Sequence, residues 1–273
     1  MREFYMANNI GKTFKFDSSS GVLVSGIDNI GIEKEIEYTE FDSNYKKLYE
    51  KNPMQDISLT LTFLNGYKGY KEFLDFVEGS KSFYLYYKSV EYKYCYCEVV
   101  SLSKTELSSN VITSTLTIKK LSYWFKDVTK EIEIISGDSG KYYPYSYPYQ
   151  YSGSISGKVT ITNSGYAKAP LRILLKGEFS NPEIIVSKDD EEVSRLKVYY
   201  ESKNATLEVN SFSLDQKIEI TEGGKTINAY EYQDFSADNF LFLDRGSYTL
   251  EFRPNASNPP SCVITMMEGY LGN

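Results

Sequence analysis

The chain has 273 residues, with 30 Lys and Arg against 37 Asp and Glu and a formal net charge of −7. Its basic residues are scattered along the sequence, which argues against a nucleic-acid binder's concentrated cationic footprint, and no stretch approaches the ~20 apolar residues of a membrane span. There is no histidine, which removes Ser-His, Cys-His and His-metal chemistry together.

What the chain has in excess is 26 Tyr and 15 Phe, rings that favour strands and contact surfaces. Its length exceeds the ~100–200 residues of one domain, so two domains are expected. Residues 1–10 lack the apolar core of a secretory leader, and the expectation is a protein folded in a reducing cytoplasm.

In chain order, residues 12–16 and 30–38 read as short strands. Residues 41–52 are polar and charged, with Tyr and Lys repeating at no clean period, and are expected as a surface loop or as an arm that orders against a partner. Ile57, Leu59, Leu61 and Phe63 then alternate with Ser58, Thr60 and Thr62, a strand with one buried face. Asn65 offers a helix N-cap, Tyr67, Tyr70, Phe73, Leu74 and Val77 recur at helical spacing, and Gly79 stops the helix. Residues 83–88, 91–101 and 111–121 follow as an antiparallel meander, with Ser108-Ser-Asn110 as a turn. Trp124, the only tryptophan, closes this part as a core anchor or, less simply, as a sugar platform. Cys95 and Cys97, two apart on a strand, and the distant Cys262 read as buried thiols, since a metal site needs more ligands.

The tyrosine-proline run at residues 142–151 sits between two Gly/Ser-rich flanks and divides the sequence. Its rings Tyr143, Tyr145, Tyr147 and Tyr149 serve as an interdomain strut, an intersubunit contact or a ligand platform, and its prolines suit an extended strut. The expected organisation is an N-terminal domain at 1–135, a linker at 136–157 and a C-terminal domain at 158–273.

The second half holds only strand and turn signals. Residues 158–163, 171–176, 183–187, 196–200, 206–210, 217–221, 240–243, 248–253 and 262–267 form short strands, with Glu222-Gly-Gly-Lys225 and Asp244-Arg-Gly-Ser247 as tight turns. This spacing argues a jelly-roll-like antiparallel sandwich. The fold class is mainly β: an antiparallel sheet domain with one α-helix, then a β-sandwich. Asp189-Asp-Glu-Glu192 reads as a solvated turn, with calcium binding as the alternative. Asn204-Ala-Thr206 and Asn255-Ala-Ser257 are chance matches to glycosylation acceptors. No pair of carboxylates stands out as a hydrolase site, so no enzyme, metal or cofactor is expected.

Several of these features together resemble the distal tail proteins (Dit) of long-tailed phages that infect Gram-positive bacteria. They are the sheet-plus-helix first half ending in Leu121-Ser-Tyr-Trp-Phe-Lys126, the Tyr-Pro-Tyr-Ser-Tyr-Pro-Tyr bridge, and Asn163-Ser-Gly-Tyr-Ala-Lys-Ala-Pro170 leading to Gly177-Glu-Phe-Ser-Asn-Pro182. The late Asp244-Arg-Gly-Ser-Tyr-Thr-Leu-Glu-Phe252 is similar as well. The resemblance implies a structural hub without a catalytic residue: a homo-hexameric ring at the virion tail tip, assembled in the host cytoplasm. Its partners are the tail tube protein, a tail-associated lysin or fibre protein, and receptor-binding or other baseplate proteins. DNA enters only in passage through the channel, and no membrane is involved. The C-terminal domain is then a galectin-like or carbohydrate-module-like sandwich facing outward. The rival reading is a carbohydrate-binding β-sandwich protein for host-surface attachment, with the tyrosine run or Trp124 stacking on sugars.

Overall fold

The computed structural model describes residues 2–135, 156–258 and 260–273. Two compact units divide the chain, one of residues 1–126 with 269–273 and one of residues 127–268.

The first unit contains β1 (Glu3–Asn8), β2 (Thr13–Lys15), β3 (Val22–Asp28), β4 (Glu35–Phe41), β5 (Asn44–Lys51), β6 (Gln55–Phe63), α1 (Gly66–Glu78), β7 (Phe83–Lys88), β8 (Tyr92–Leu102), β9 (Ile112–Lys120) and the start of β10 (Trp124–Ile132). Seven of these strands form one antiparallel sheet in the order β3-β6-β9-β8-β7-β1-β2. The period-2 pattern of β6 places Ile57, Leu59, Leu61 and Phe63 in the core, all fully buried. On β7 and β8 the same alternation turns Phe83, Leu85, Cys95 and Cys97 inward. It turns Tyr84, Tyr86, Tyr94 and Tyr96 to the opposite face, where the rings pack on one another with centroids 4.2 Å (Tyr84–Tyr96) and 5.3 Å (Tyr86–Tyr94) apart. Much of the tyrosine excess is therefore sheet-face packing, in which cross-strand rings support each other.

The helix forms where the spacing predicts it and ends at Gly79, but Asn65 does not cap it through its side chain. That side chain packs instead against Gly21, where an added Cβ would stand 2.6 Å from Asn65 Nδ2 and φ is +70°, so only glycine fits there. Phe73 is the helix's anchor. It is fully buried, and its ring lies 5.0 Å from Phe14, 5.7 Å from Phe16 and 6.0 Å from Phe63.

Several strands depart from the sequence reading; the one expected at 30–38 begins only at Glu35. Residues 3–8 form β1, whose alternation of Phe4 and Met6 with Glu3 and Tyr5 is too short to stand out. Residues 22–28 form β3, disguised by a bulge between Val24 and Gly26. Trp124 opens β10 instead of closing the preceding strand.

The second unit is a sandwich. It contains β11 (Ile134–Ile135), β12 (Ser156–Asn163), β13 (Ala169–Ser180), β14 (Glu183–Lys188), β15 (Glu191–Lys197), β16 (Glu201–Asn210), β17 (Lys217–Glu222), β18 (Lys225–Asn228), the 3-10 turn Tyr230–Tyr232, β19 (Phe242–Leu243), β20 (Gly246–Arg253) and most of β21 (Ser261–Tyr270). One sheet runs β18-β17-β16-β13-β21 and the other β11-β12-β20-β14-β15. Ile173, Leu207, Val209 and Ile264 of the first share a core with Ile161, Ile184, Val186, Leu250 and Phe252 of the second. Gly223 and Gly224 both have positive φ in the predicted β17–β18 turn, the conformation of a two-residue hairpin loop. Asp189 and Asp190 do the same between β14 and β15, so the acidic run is a hairpin turn. The Asn163 loop is held from within: its Nδ2 donates to Ala167 O (3.0 Å) and Leu243 O (2.9 Å), and its Oδ1 accepts from Gly165 N (2.8 Å).

The division between the units differs from the one expected at residues 136–157. The chain passes from one unit to the other at 126–127 and returns at 268–269, inside β10 and β21. Residues 136–155, with Tyr143, Tyr145, Tyr147 and Tyr149, lie outside the described residues. Their flanking residues Ile135 and Ser156 are cross-strand partners within the second unit. The change in composition falls between β11 and β12, whereas the crossings fall within β10 and β21.

Two outcomes check the packing. Phe73→Ala should destabilise the first unit by about 3–5 kcal/mol, read as a lower urea midpoint. Burial raises the thiol pKa of Cys97 to about 12 and those of Cys95 and Cys262 upward as well, so iodoacetamide at mildly alkaline pH should label none of the three until the protein is denatured. Labelling of the native protein at the rate of a free thiol would show that the sheets open.

Candidate interaction surface

Residues 41–52, expected as a loop or arm, are half of a β-ribbon. Among the described residues, strands β4 and β5 pair only with each other, through a two-residue turn at Asp42 and Ser43, both at positive φ. The ribbon is the outward continuation of the β3/β6 pair. Asp28 pairs with Ser58, and seven residues on in each direction Glu35 pairs with Lys51 in the same register. Between the two paired stretches the ladder breaks at Pro53, which has no N–H to donate.

From residue 35 to 51 every residue is exposed except Ile36, Thr39 and Glu50, which are partly buried. The exposed set includes Tyr38 (55%), Phe41 (72%), Tyr45 (73%), Leu48 (59%) and Tyr49 (50%). Cross-strand pairing puts Tyr38 and Tyr45 on one face and Phe41 and Tyr49 on the other, so both faces carry rings. A lone two-stranded ribbon is marginal in water, and rings of this size are depleted from surfaces that stay wet but enriched in interface cores. The ribbon is also polar along its length in a useful way: Glu35, Glu37 and Glu40 lie on β4 and Lys46, Lys47 and Lys51 on β5.

Sequence reasoning missed the ribbon because alternation marks a strand only when one of its faces is buried. Asp-Ser is also a weaker turn signal than Asn-Gly or Asp-Gly.

Other features offer less. Trp124 is fully buried in the first unit's core, with its ring 6.5 Å from that of Tyr87, so it is a core anchor and neither a sugar platform nor an exposed interface ring. In the second unit an open polar cleft of about 380 Å³ is lined by Glu192, Arg195, Asp234 and Asp238 among others. Its groups are engaged internally: Arg195 bonds Glu192 and Glu183, Asp234 accepts from Ser236 and Tyr199, and Asp238 accepts from Ser194.

Within the ribbon, Glu50 lies between Lys34 and Lys47 and hydrogen-bonds both, which pulls its pKa from 4.5 to about 2. A carboxylate with a depressed folded value contributes above its unfolded pKa and loses that contribution as pH falls through the folded one. Glu50 should therefore remain ionised near pH 4, where a glutamate in an unfolded peptide is about half protonated or more. NMR titration of its side-chain carboxyl should find it near 2 at low salt, with Lys34→Ala moving it upward.

Residues 3–121 match the family model described as distal tail protein, N-terminal domain. No curated protein matches the chain by sequence. Among solved structures, a chain of the phage P2 baseplate in its activated conformation with Ca is similar at TM-score 0.69 and 14% identity, covering 100% of both chains. SPP1 Dit, described as a paradigm of the hub adsorption apparatus in Gram-positive infecting phages, is similar at TM-score 0.60 and 11% identity over 96% of this chain and 98% of that one. At such identities the likeness is one of fold, and it spans both units. Residues 3–121 thus match a distal tail protein N-terminal domain, and the chain shares its fold over its whole length with these phage baseplate chains.

Proposed function

We propose that the protein is the ring-forming hub of a virion tail tip, a homo-hexamer whose first units join side by side around a channel through which DNA passes. The observation that carries this reading is the β4–β5 ribbon, an exposed and aromatic two-stranded extension that pairs with no other strand among the described residues. A head-to-tail ring brings unlike surfaces of neighbouring copies together and closes after a fixed number of steps. A ribbon with an acidic strand and a basic strand suits such a contact, because the acidic side of one copy meets the basic side of the next. Pairing across copies also removes the open strand edges that a free ribbon presents.

The second unit, a galectin-like or carbohydrate-module-like sandwich in this reading, faces outward and holds receptor-binding or other baseplate proteins. The tail tube protein sits on one side of the ring and the tail-associated lysin or fibre protein on the other. The net charge of −7 suits a channel from which DNA must leave without sticking, since phosphates bind basic linings. The role is one of assembly and requires no catalytic group.

Light scattering of the full chain at micromolar concentration should give about six times the protomer mass of 31.3 kDa. Phe41→Asp with Tyr45→Asp should weaken assembly at least about 100-fold while leaving the far-ultraviolet circular dichroism unchanged. A protein that stays monomeric even with its tail partners would overturn the hub reading.

A further inference from the structure

We infer that the segment Gly269–Asn273 is a positioning device that locks the root of the β4–β5 ribbon and sets the direction in which the ribbon leaves the sheet. The root is the break in the β3/β6 ladder, residues 29–34 on one strand and 52–54 on the other. Asn29 stands there at φ +64°, and its Nδ2 donates to Asp56 O at 3.0 Å, so the next carbonyl along, Ile30 O, lies where the ladder has stopped. It accepts from the backbone N–H of Asn273 at 3.3 Å. A strand interrupted by a proline on its partner thus recovers a backbone hydrogen bond from a segment more than 200 residues away.

The packing around that bond is close. A Cβ on Gly272 would come within 3.1 Å of Ile32 Cγ1 and 3.3 Å of the Gly31 carbonyl carbon. Glycine therefore lets the segment lie flat against the root, the use a missing Cβ has where two backbones approach. The segment is itself pinned to the sheet: the Lys93 ammonium lies 4.4 Å from the centre of the Tyr270 ring and donates to Gly272 O at 3.5 Å. On the other strand Asn52 Nδ2 donates to Tyr123 OH at 3.4 Å, so both legs of the ribbon are held just below its first pair, Glu35 with Lys51.

The physical need is clear from the ribbon's isolation. A two-stranded sheet left exposed among the described residues holds its direction at its base, and a swinging ribbon loses conformational freedom each time it docks, a cost that a fixed root removes in advance. Tyr270 and Gly272 are in this sense positioning residues, whose purpose rests on the ribbon being the contact between copies, although the lock itself is internal to the first unit.

Hydrogen exchange on the dilute full chain tests the lock directly. Tyr270→Ala, which removes the ring from Lys93, and Gly272→Val, which pushes the segment off Gly31 and Ile32, should each speed exchange of the Glu35–Lys51 amides about tenfold or more. Amides of β6 and β9 should stay within about twofold of the wild type, which separates loosening of the root from loss of the fold. Unchanged ribbon exchange in both variants would overturn the inference, and so would a uniform rise across β6 and β9 in both, which makes the segment part of the fold at large. Ring mass measured by light scattering on the same samples keeps the two readings apart. Faster ribbon exchange with the ring intact supports the lock and removes the ribbon from the ring contact, whereas lost assembly with unchanged exchange removes the lock alone.

Discussion

The register of β6 is the constraint on which the rest of the first unit depends. Its buried residues Ile57, Leu59, Leu61 and Phe63 fix which face meets the core, and a slip of one residue would send all four to the opposite face. The same ladder aligns β9 on one side, Phe63 with Ile112 through Gln55 with Lys120, and β3 on the other. Phe63 also meets the helix through Phe73 and Tyr70. Because β3 and β6 run out to the ribbon in one register, the same alignment decides which ribbon residues face each other. The exposed rings are thus placed by apolar residues buried well below them.

Much of this was legible before any coordinates, for a physical reason. The buried faces of β6, β7 and β9 alternate cleanly because their other faces are polar or half-wet, and a helix between them announces itself by spacing alone. The sandwich was legible from its turns, since Gly223-Gly224 and Asp189-Asp190 adopt positive φ where the sequence offers residues that tolerate it. What was hidden lacks a one-sided environment. The ribbon is wet on both faces, β3 loses its period at the Val24–Gly26 bulge, and the seven-residue frame shared by Asp28–Ser58 and Glu35–Lys51 becomes visible only once pairing is known.

The change in texture at residues 136–157 suggests a joint between domains, and the residues on either side of 136–155, Ile135 and Ser156, pair with each other within the second unit. The crossings lie in β10, which the sequence does not mark as a strand, and in β21, which it does. A crossing made by continuous strands needs no glycine or proline to mark it, because each residue keeps an extended backbone through the boundary. Boundaries of this kind are invisible to composition and are found only from the contacts on either side.

An exposed aromatic strand pair is an aggregation liability that the ribbon's charges act against. Open edges and exposed rings are the features that recruit unwanted strands. Here each ring has charged neighbours: Tyr38 faces Lys47, Glu37 faces Tyr49 and Glu40 faces Tyr45 across the ribbon. Lys34, Glu50 and Lys47 form an ion cluster at its base. A random hydrophobic partner would have to strip water from these charges without replacing it, which is costly. A partner bearing the opposite pattern meets them in kind, and another copy of this chain carries that pattern, acidic on β4 and basic on β5. In the proposed ring, the same residues that guard the free ribbon against indiscriminate pairing would select the neighbour it accepts, in the way that repulsive and attractive elements together define a specific interface.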